Sequence, residues 1–195
     1  MSVSSKIAIF ASGNGTNAEA IFNYFKNHAS INVQLLLSNN ANAVALERAK
    51  KYGIECIVFN KSQFLESNEV TIQLQSHHIT HIVLAGFLWL IPKHLIAAFP
   101  EKIINIHPSL LPKFGGMGMY GMNVHKAVKL AGEQETGITI HEVNEHFDEG
   151  KIILQLSCPV SSADTQEQIA MKIHTLEYQN YPIVIEQWVK SKRDS

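Results

Sequence analysis

Asn105 and His107 stand two residues apart at the end of an apolar run, Lys102 to Ile106, that is typical of a buried strand. Because alternate residues of a strand project to the same face, the amide and the imidazole are expected side by side. Pro108 then ends the strand. At the carboxyl end of a parallel strand, an amide can hold negative charge on oxygen and an imidazole can move a proton. The pair therefore indicates acyl-type transfer.

A carboxylate from a later acidic loop is the expected partner of this imidazole. If Asp148 reaches His107, it orients the ring, fixes its tautomer and favours the imidazolium, the form that donates to an oxyanion. Glu149 is the alternative carboxylate, and spacing alone does not choose between the two. An isolated Asn-x-His pair is more often a strand-end cap beside a surface imidazole. The rigid Pro-Ser-Leu-Leu-Pro turn that follows at once favours the catalytic interpretation.

The elements that must position these residues follow from hydrophobic periodicity. Short apolar runs alternate with helical spacing, which indicates an α/β fold with a doubly wound, mostly parallel sheet, Rossmann-like in layout. A C-terminal strand pair and a long C-terminal helix, interrupted at Pro182, complete the prediction. The predicted strands are Ile7 to Ala11, Val33 to Ser38, Cys56 to Phe59, Ile82 to Ala85, Ile103 to Ile106, Thr136 to Val143 and Lys151 to Pro159.

Length and composition limit the class of protein. A chain of 195 residues fits a single domain spanning 1–195, with an N-terminal half to about residue 100 and a C-terminal half from about residue 101. A formal charge of −1 gives no basic footprint for nucleic acid. The apolar start is too short for a signal peptide, and no apolar run is long enough to cross a membrane. Cys56 and Cys158 lack disulfide or zinc-ribbon spacing, so a reduced cytoplasmic location is expected.

A glycine-containing loop, Ala11 to Asn17, lies between the first strand and the first helix. Gly13 and Gly15 permit a tight turn that presents backbone N–H groups, and a helix N terminus favours an anion, so a phosphate fits there. The loop lacks the Walker lysine and the third glycine of the dinucleotide motif, which disfavours ATP and NAD. The alternative is a simple turn in which Thr16 or Asn17 caps the helix.

Two further segments bear on function. Four glycines and three methionines between Phe114 and Met122 indicate an irregular loop, after which Asn123 is expected to cap a helix that runs to Leu130. The pair His141 and His146 resembles a zinc helix but has the wrong spacing, so no metal site is predicted.

Taken together, these motifs resemble the phosphoribosylglycinamide formyltransferase family of the folate-dependent formyltransferase superfamily. The matching segments follow the family order along nearly the whole chain. They are Ser12 to Asn17, Ser38-Asn39, Leu84 to Phe87, Asn105 to Lys113, Thr136-Gly137 with His141, Asp148 to Gly150, and Glu177 with Tyr181-Pro182.

The resemblance implies a Rossmann-like formyltransferase fold, with Asn105, His107 and Asp148 as catalytic residues and His141 and Thr139 supporting them. It implies that 10-formyltetrahydrofolate is the co-substrate, that both substrates are small molecules, and that the protein is a monomer or homodimer. The implied contacts to 5'-phosphoribosylglycinamide are Ser12, Gly13, Asn14, Gly15 and Thr16 for the phosphate and Glu177 for the ribose. The implied folate pocket comprises Leu84, Phe87, Leu88, Trp89, Leu90, Ile91, Val143, Asn144 and Phe147.

The sequence departs from the family pattern at two places. Trp89 stands where many members have arginine, which leaves the folate contacts there open. The segment from Gly115 to Asn123 is longer than the usual family loop, as a lid or as an insertion. The rival interpretations are formyltetrahydrofolate hydrolase, methionyl-tRNA formyltransferase and a catalytically silent ligand-binding module. The two rival enzymes ordinarily carry an additional domain, and no such domain is expected in this chain.

Overall fold

The computed structural model describes residues 4–192. Within this range, seven strands form one sheet, and helices cover both of its faces. The strands are β1 (Ser5–Phe10), β2 (Ile31–Ser38), β3 (Glu55–Val58), β4 (His81–Leu84), β5 (Ile103–His107), β6 (Glu135–Glu142) and β7 (Ile152–Pro159). The helices are α1 (Thr16–Phe25), α2 (Val44–Lys51), α3 (Lys61–Leu65), α4 (Glu69–Ser76), α5 (Lys93–Ala98), α6 (Met122–Leu130) and α7 (Gln166–Ser191).

The strand order is β3-β2-β1-β4-β5-β6-β7. The first five strands pair in parallel, and β6 and β7 add an antiparallel edge. This confirms the doubly wound, mostly parallel sheet, the C-terminal strand pair and the long final helix. The order reverses between β1 and β4, and ligands of such sheets bind at the carboxyl ends of the strands beside this switch point.

Strand β1 shows why the sheet is buried on both faces. Ile7 and Ile9 point into a core formed with α1, α2 and α7, whereas Ala8 and Phe10 point into a second core formed with α3, α4 and α5. Alternation along one strand thus feeds two hydrophobic layers, and this explains the near-continuous apolar run. A smaller cluster joins α6 to α7.

Two helix predictions are wrong in detail. Helix α7 continues through Pro182, which is buried with Tyr181 and Ile185 against the sheet. Packing of that face offsets the hydrogen bond that proline removes. Helix α6 is capped by Gly121, whose backbone lies at φ 52°, rather than by Asn123. The Asn123 side chain instead donates to the carbonyl oxygen of Gly118 at 3.1 Å. The division into two functional halves stays a prediction.

Candidate active site

The predicted strand-end pair lies at the end of β5, in the wall of a cavity of about 580 Å³. His107 is the last residue of the strand rather than the first after it, and it is 4% exposed. Asn105 is opposite His141 and His107 is opposite Thr139 in the antiparallel pairing with β6. Neighbouring strands therefore place four of the predicted residues around one point, and the cavity has the size of a small-molecule site.

Hydrogen bonding fixes the orientation of the His107 ring. Its Nε2 lies 2.8 Å from the carbonyl oxygen of Phe114, and since a carbonyl only accepts, this nitrogen carries a proton. Its Nδ1 lies 3.4 Å from Oδ2 of Asp148. Nδ1 is consequently the nitrogen that gains or loses a proton, and the carboxylate faces it.

Asp148, rather than Glu149, is the carboxylate of the site, because Glu149 is exposed to solvent. Oδ2 of Asp148 accepts the backbone N–H of Gly116 at 2.9 Å, and Oδ1 lies 3.6 Å from Nε2 of His141. The same segment, Phe114 to Gly116, therefore contacts both members of the His107–Asp148 pair.

The two members of the pair have shifted pKa values. Burial lowers the pKa of His107, and the nearby Asp148 charge only partly opposes that effect. For Asp148, burial raises the pKa, but the interactions with His141, with the His107 charge and with the Gly116 N–H together lower it. At neutral pH the Asp148 carboxylate is thus ionised, whereas the His107 imidazolium is less favoured than the sequence predicts.

His141 holds the amide of the site. Its Nδ1 donates to the carbonyl oxygen of Glu142 at 2.8 Å, so the neutral ring has an acceptor at Nε2. That nitrogen lies 3.2 Å from Nδ2 of Asn105. One amide hydrogen of Asn105 is engaged in this way, and the other remains available to a ligand.

Thr139 supports the turn after β5 rather than the reacting centre. Its fully buried hydroxyl donates to the Ser109 carbonyl at 2.7 Å and accepts the Leu111 N–H at 3.0 Å. Gln155 donates both to this hydroxyl and to the Leu111 carbonyl. The Gln155 contact could not be predicted from the sequence, because it depends on the register between β6 and β7, in which Gln155 lies opposite Thr139.

The phosphate-type loop forms the other end of the cavity. Residues from Gly13 to Asn17 line it, but Ser12 does not, because its hydroxyl accepts the backbone N–H of Leu88 at 3.1 Å. Gly15 is the N-cap of α1 at φ 73°, with no side-chain cap, so neither Thr16 nor Asn17 caps the helix. A Cβ atom at Gly15 would lie 2.5 Å from that of Ala45, so this position requires glycine.

Arg48 of α2 braces the same loop and was not singled out from the sequence. Its guanidinium donates to the carbonyl oxygen and to Oδ1 of Asn14, each at 2.9 Å, and forms an ion pair with Glu19. These contacts hold the backbone of the loop in place.

Glu177 faces the cavity from α7 and is 5% exposed. It accepts one hydrogen bond, from Nδ2 of Asn17 at 3.0 Å. Burial raises the pKa of Glu177 to about 7, and the Asn17 contact only partly opposes this. A buried carboxylate with spare acceptor capacity suits the hydroxyl groups of a ligand.

The remaining wall is apolar and contains most of the predicted folate residues. These are Leu84, Phe87, Leu88, Trp89, Leu90, Ile91, Val143 and Phe147. Trp89 packs against Phe59, Phe64 and Phe87, with ring centroids 5.9 to 6.3 Å apart. Asn144 does not line the cavity, since its side chain bonds to the backbone of His146 and Glu149 within its own loop.

The glycine- and methionine-rich segment 115–122, called the Gly-Met loop below, borders the cavity as well. Residues 116–121 line it, and Met117 is 87% exposed. Two histidines that the sequence did not single out, His125 of α6 and His174 of α7, complete this side. His174 and Glu177 are three residues apart on one helical face, and this spacing is the sequence signal that could have identified His174.

Residues 4–192 contain neither a candidate metal centre nor a candidate membrane span. No group of three or more His, Cys, Asp or Glu side chains in this range is arranged to hold a metal ion. No helix in this range is long and apolar enough to cross a membrane.

Known proteins with similar sequences indicate the same family as the residues of the site. The formyl transferase family matches residues 5–185. A curated protein named phosphoribosylglycinamide formyltransferase from Bacillus subtilis is 40% identical and aligns over 93% of each chain. Chloroplastic proteins of the same name from Vigna unguiculata and Arabidopsis thaliana are also 40% identical, but the chain spans only 60% and 64% of their lengths.

Solved structures agree with the sequence relatives. The crystal structure of phosphoribosylglycinamide formyltransferase from Bacillus halodurans has a TM-score of 0.84 and 35% identity over 94% of each chain. Glycinamide ribonucleotide transformylase 1 from Geobacillus kaustophilus has a TM-score of 0.84 and 35% identity, over 93% of this chain and 96% of that one. The chain therefore belongs to the formyl transferase family, among the phosphoribosylglycinamide formyltransferases.

Proposed function

We propose that this protein transfers the formyl group of 10-formyltetrahydrofolate to the glycine amine of 5'-phosphoribosylglycinamide, a step of purine synthesis. The observation that carries the proposal is the convergence of Asn105, His107 and Asp148 on one cavity. That cavity is lined both by an anion-binding loop and by an apolar wall, so it suits a phosphorylated substrate together with an aromatic co-substrate.

Asn105 and His107 act on the oxygen of the formyl group. When the amine nitrogen attacks the formyl carbon, the carbonyl oxygen becomes an oxyanion in a tetrahedral intermediate. The free amide hydrogen of Asn105 and a proton on Nδ1 of His107 are the donors for this charge. Such donors act most strongly on charge that develops during the reaction, in a site that excludes water.

Asp148 controls the protonation of His107 and assists proton transfer during the reaction. Its carboxylate favours the His107 imidazolium as the oxyanion forms, so the pair becomes charged when the donor is needed. The attacking amine loses a proton, the bond between the formyl carbon and the folate nitrogen breaks, and that nitrogen receives a proton. Asp148 assists this relay, directly or through a water molecule.

Substrate binding uses the two ends of the cavity. Backbone N–H groups from Gly13 to Thr16 hold the phosphate, and Glu177 accepts from the ribose hydroxyls. The apolar wall that contains Phe87, Trp89 and Phe147 receives the folate ring system, closed by backbone of the loop after β6. Ser12 and Asn144 contribute by shaping these segments, since their side chains are committed elsewhere.

His141 and Thr139 support the catalytic group without touching substrate. His141 orients the Asn105 amide, and Thr139 fixes the turn that follows His107. We further propose a cytoplasmic enzyme, acting as a monomer or homodimer on small molecules and needing no metal.

A formyl-transfer assay tests the proposal. The protein is mixed with 5'-phosphoribosylglycinamide and a 10-formyl folate, and release of the deformylated folate is followed by absorbance, beside a reaction that contains the folate alone. Turnover that needs the ribonucleotide supports transfer. Equal rates in both reactions indicate a hydrolase, and binding without turnover indicates a silent ligand-binding module, and either result overturns the proposal.

A further inference from the structure

The charged side chains of the cavity wall are of one sign. Among residues 4–192, the lining includes two carboxylates, Asp148 and Glu177, but no lysine and no arginine. The proposed phosphate site relies on backbone N–H groups, so it does not need a cationic side chain. Any further anion on a ligand in this cavity meets no side chain of fixed positive charge.

Trp89 gives the apolar wall a rigid aromatic surface. The indole is partly buried, lines the cavity, and packs against the rings of Phe59, Phe64 and Phe87. Phe59 and Phe64 are themselves buried, so packing fixes the orientation of the indole. This is also the position at which the sequence departs from the family pattern by having no arginine. The wall therefore offers a preorganised ring where a cation would otherwise stand.

Lys93 is the cation that follows this wall along the chain, but it is already paired. Ile91 lines the cavity, and Lys93 begins α5 two residues later. Its Nζ lies 2.6 Å from Oε2 of Glu145, and the two side chains are 81% and 47% exposed. Glu145 thus neutralises Lys93, and an exposed ion pair of this kind exerts little field beyond itself in salt.

The chemistry of a folate separates its rings from its charge. The pterin and aminobenzoyl rings are uncharged, whereas the glutamate tail carries carboxylates and gains one more with each added residue. Contact between aromatic rings does not depend on that charge. A carboxylate gains strong hydrogen bonds where a cation or several donors face it. The wall around Trp89 therefore suits the rings and has no fixed charge for the tail.

We propose that Trp89 makes binding of the co-substrate independent of its glutamate tail. The folate rings bind by aromatic contact, and the tail stays in solvent. The protein then accepts a 10-formyl pteroate, which has no glutamate, nearly as well as a 10-formyl folate or its polyglutamates. This inference rests on the proposed function, because it assumes that the apolar wall receives the folate rings.

Formyl-transfer kinetics with three co-substrates measure the effect of the tail. They are 10-formyltetrahydropteroate, its monoglutamate and its pentaglutamate, which carry one, two and six carboxylates. The assays are run at pH 8, above the ordinary pKa of an imidazole, so that histidines of the cavity wall add little positive charge. We expect kcat/KM values that agree within about threefold, in a ratio that is the same at low and at high salt.

Substitutions of Trp89 separate charge from aromatic contact. Trp89→Arg should create a preference for the pentaglutamate of roughly tenfold at low salt, and high salt should remove it. Ile72→Arg is the matched control, because Ile72 is exposed on α4 outside the cavity and its replacement adds the same charge. Trp89→Leu should raise KM for all three co-substrates by a similar factor, roughly fivefold, and Trp89→Phe should restore most of the affinity. KM for the ribonucleotide should stay unchanged in each variant.

Fluorescence gives a readout of binding without turnover. The protein has two tryptophans, and Trp188 is 4% exposed on α7, outside the cavity lining. Quenching by tetrahydrofolate should therefore come mainly from Trp89 and should be weak in Trp89→Phe. Tetrahydropteroate should bind with a dissociation constant within about threefold of that of tetrahydrofolate. These comparisons in the unmodified protein test the proposal even if Trp89→Leu does not fold.

Three results overturn the inference. A difference of more than about tenfold among the three co-substrates in the unmodified protein shows that the tail is recognised, and its loss in Lys93→Gln would identify the cation. Kinetics that stay independent of the tail in Trp89→Arg, or a preference that appears equally in Ile72→Arg, remove the role of Trp89. Absence of both folate binding and formyl transfer overturns the inference and the proposed function together. Folate binding that is independent of the tail, but without transfer, overturns the proposed function alone.

Discussion

The polar groups at the two ends of the cavity differ in how fully the protein satisfies their hydrogen bonds. At the catalytic end, Phe114 and Gly116 of the turn after β5 bond to His107 and Asp148, and His141 holds Asn105. At the phosphate end, Oδ1 of Asn17 is buried with no hydrogen-bond partner among residues 4–192, and within this range Glu177 accepts a single hydrogen bond, from Asn17. The protein itself holds the polar groups of the catalytic end, whereas polar groups at the phosphate end keep spare hydrogen-bonding capacity.

This difference separates what each end contributes. Preorganised donors cost no rearrangement when charge develops, so the catalytic end is suited to stabilise the transition state. Groups with spare hydrogen-bonding capacity in the free protein gain partners on binding, so the phosphate end is suited to substrate affinity. Changes at the catalytic end should therefore act mainly on kcat, and changes at the phosphate end mainly on KM and on stability.

The largest effect is expected from removal of an oxyanion donor. His107→Ala and Asn105→Ala should each lower kcat by about 10²- to 10³-fold, or roughly 3 to 4 kcal/mol, because the developing charge loses one donor. Steady-state kinetics with both substrates measure this effect, and His94→Gln, outside the cavity, serves as the control. Near-normal turnover by His107→Ala would contradict the assignment.

The next effect concerns stability, and it tests whether the phosphate end is strained without its ligand. The folded pKa of Glu177 is raised from 4.5 to about 7, so the folded protein binds more protons than the unfolded chain between these values. Stability from this group is present below pH 4.5 and is lost as pH rises to 7, by up to about 3 kcal/mol. Glu177→Gln removes this dependence, because glutamine does not titrate.

Urea denaturation at pH 5 and at pH 8 measures the difference. The unmodified protein should lose more unfolding free energy between the two pH values than Glu177→Gln does. Because all other titrating groups are common to both proteins, their contributions cancel in the comparison. Parallel pH dependence in the two proteins would show that Glu177 is not held in its protonated form.

A smaller effect tests the coupling inside the catalytic end. Turnover is expected to fall as pH rises through the pKa of His107 in the complex, because the imidazolium is the donor. Asp148 raises the pKa of His107 against burial, so Asp148→Asn should move this alkaline limb to lower pH by about one unit, besides lowering kcat. Asp164→Asn, which removes a carboxylate paired with Lys172 outside the cavity, should leave the limb in place. If the alkaline limb stays in place in Asp148→Asn, the carboxylate does not control the pKa of the His107 imidazole.

The sequence predicts the parts of this molecule that depend on local pattern. The five parallel strands, the strand-end position of Asn105 and His107, and the loop before α1 all follow from hydrophobic period and turn chemistry. The sequence narrows the carboxylate partner of His107 to Asp148 or Glu149. The structure identifies Asp148, because Glu149 is exposed to solvent.

The missed features depend on contacts between segments distant in the sequence. The Ser12 hydroxyl is occupied by Leu88, and Arg48 reaches Asn14 from a different helix. His125 and His174 meet only because α6 packs on α7. Neither a period nor a motif records such meetings, and for that reason the catalytic end was easier to predict than the phosphate end.

The smallest expected effect comes from the segment that links the Gly-Met loop to chemistry. Gly116 donates to Asp148 and lies at φ 91°, whereas Gly118 lies at φ 83° in the same loop. A Cβ atom at either position meets nothing within 4 Å. Gly116→Ala and Gly118→Ala therefore impose a similar backbone strain of about 1 kcal/mol, and only the first displaces an N–H that holds the carboxylate.

If the turn positions the catalytic pair, the two variants should unfold at similar temperatures but differ in kcat. Gly116→Ala should lose turnover roughly fivefold relative to Gly118→Ala, because a small displacement of Asp148 weakens its effect on His107. The alkaline limb of Gly116→Ala should shift in the same direction as that of Asp148→Asn, since both variants reduce the influence of the carboxylate on the imidazole. Equal kcat values with equal pH profiles would mean that the turn only covers the site and that the Gly116 N–H is not needed to hold Asp148.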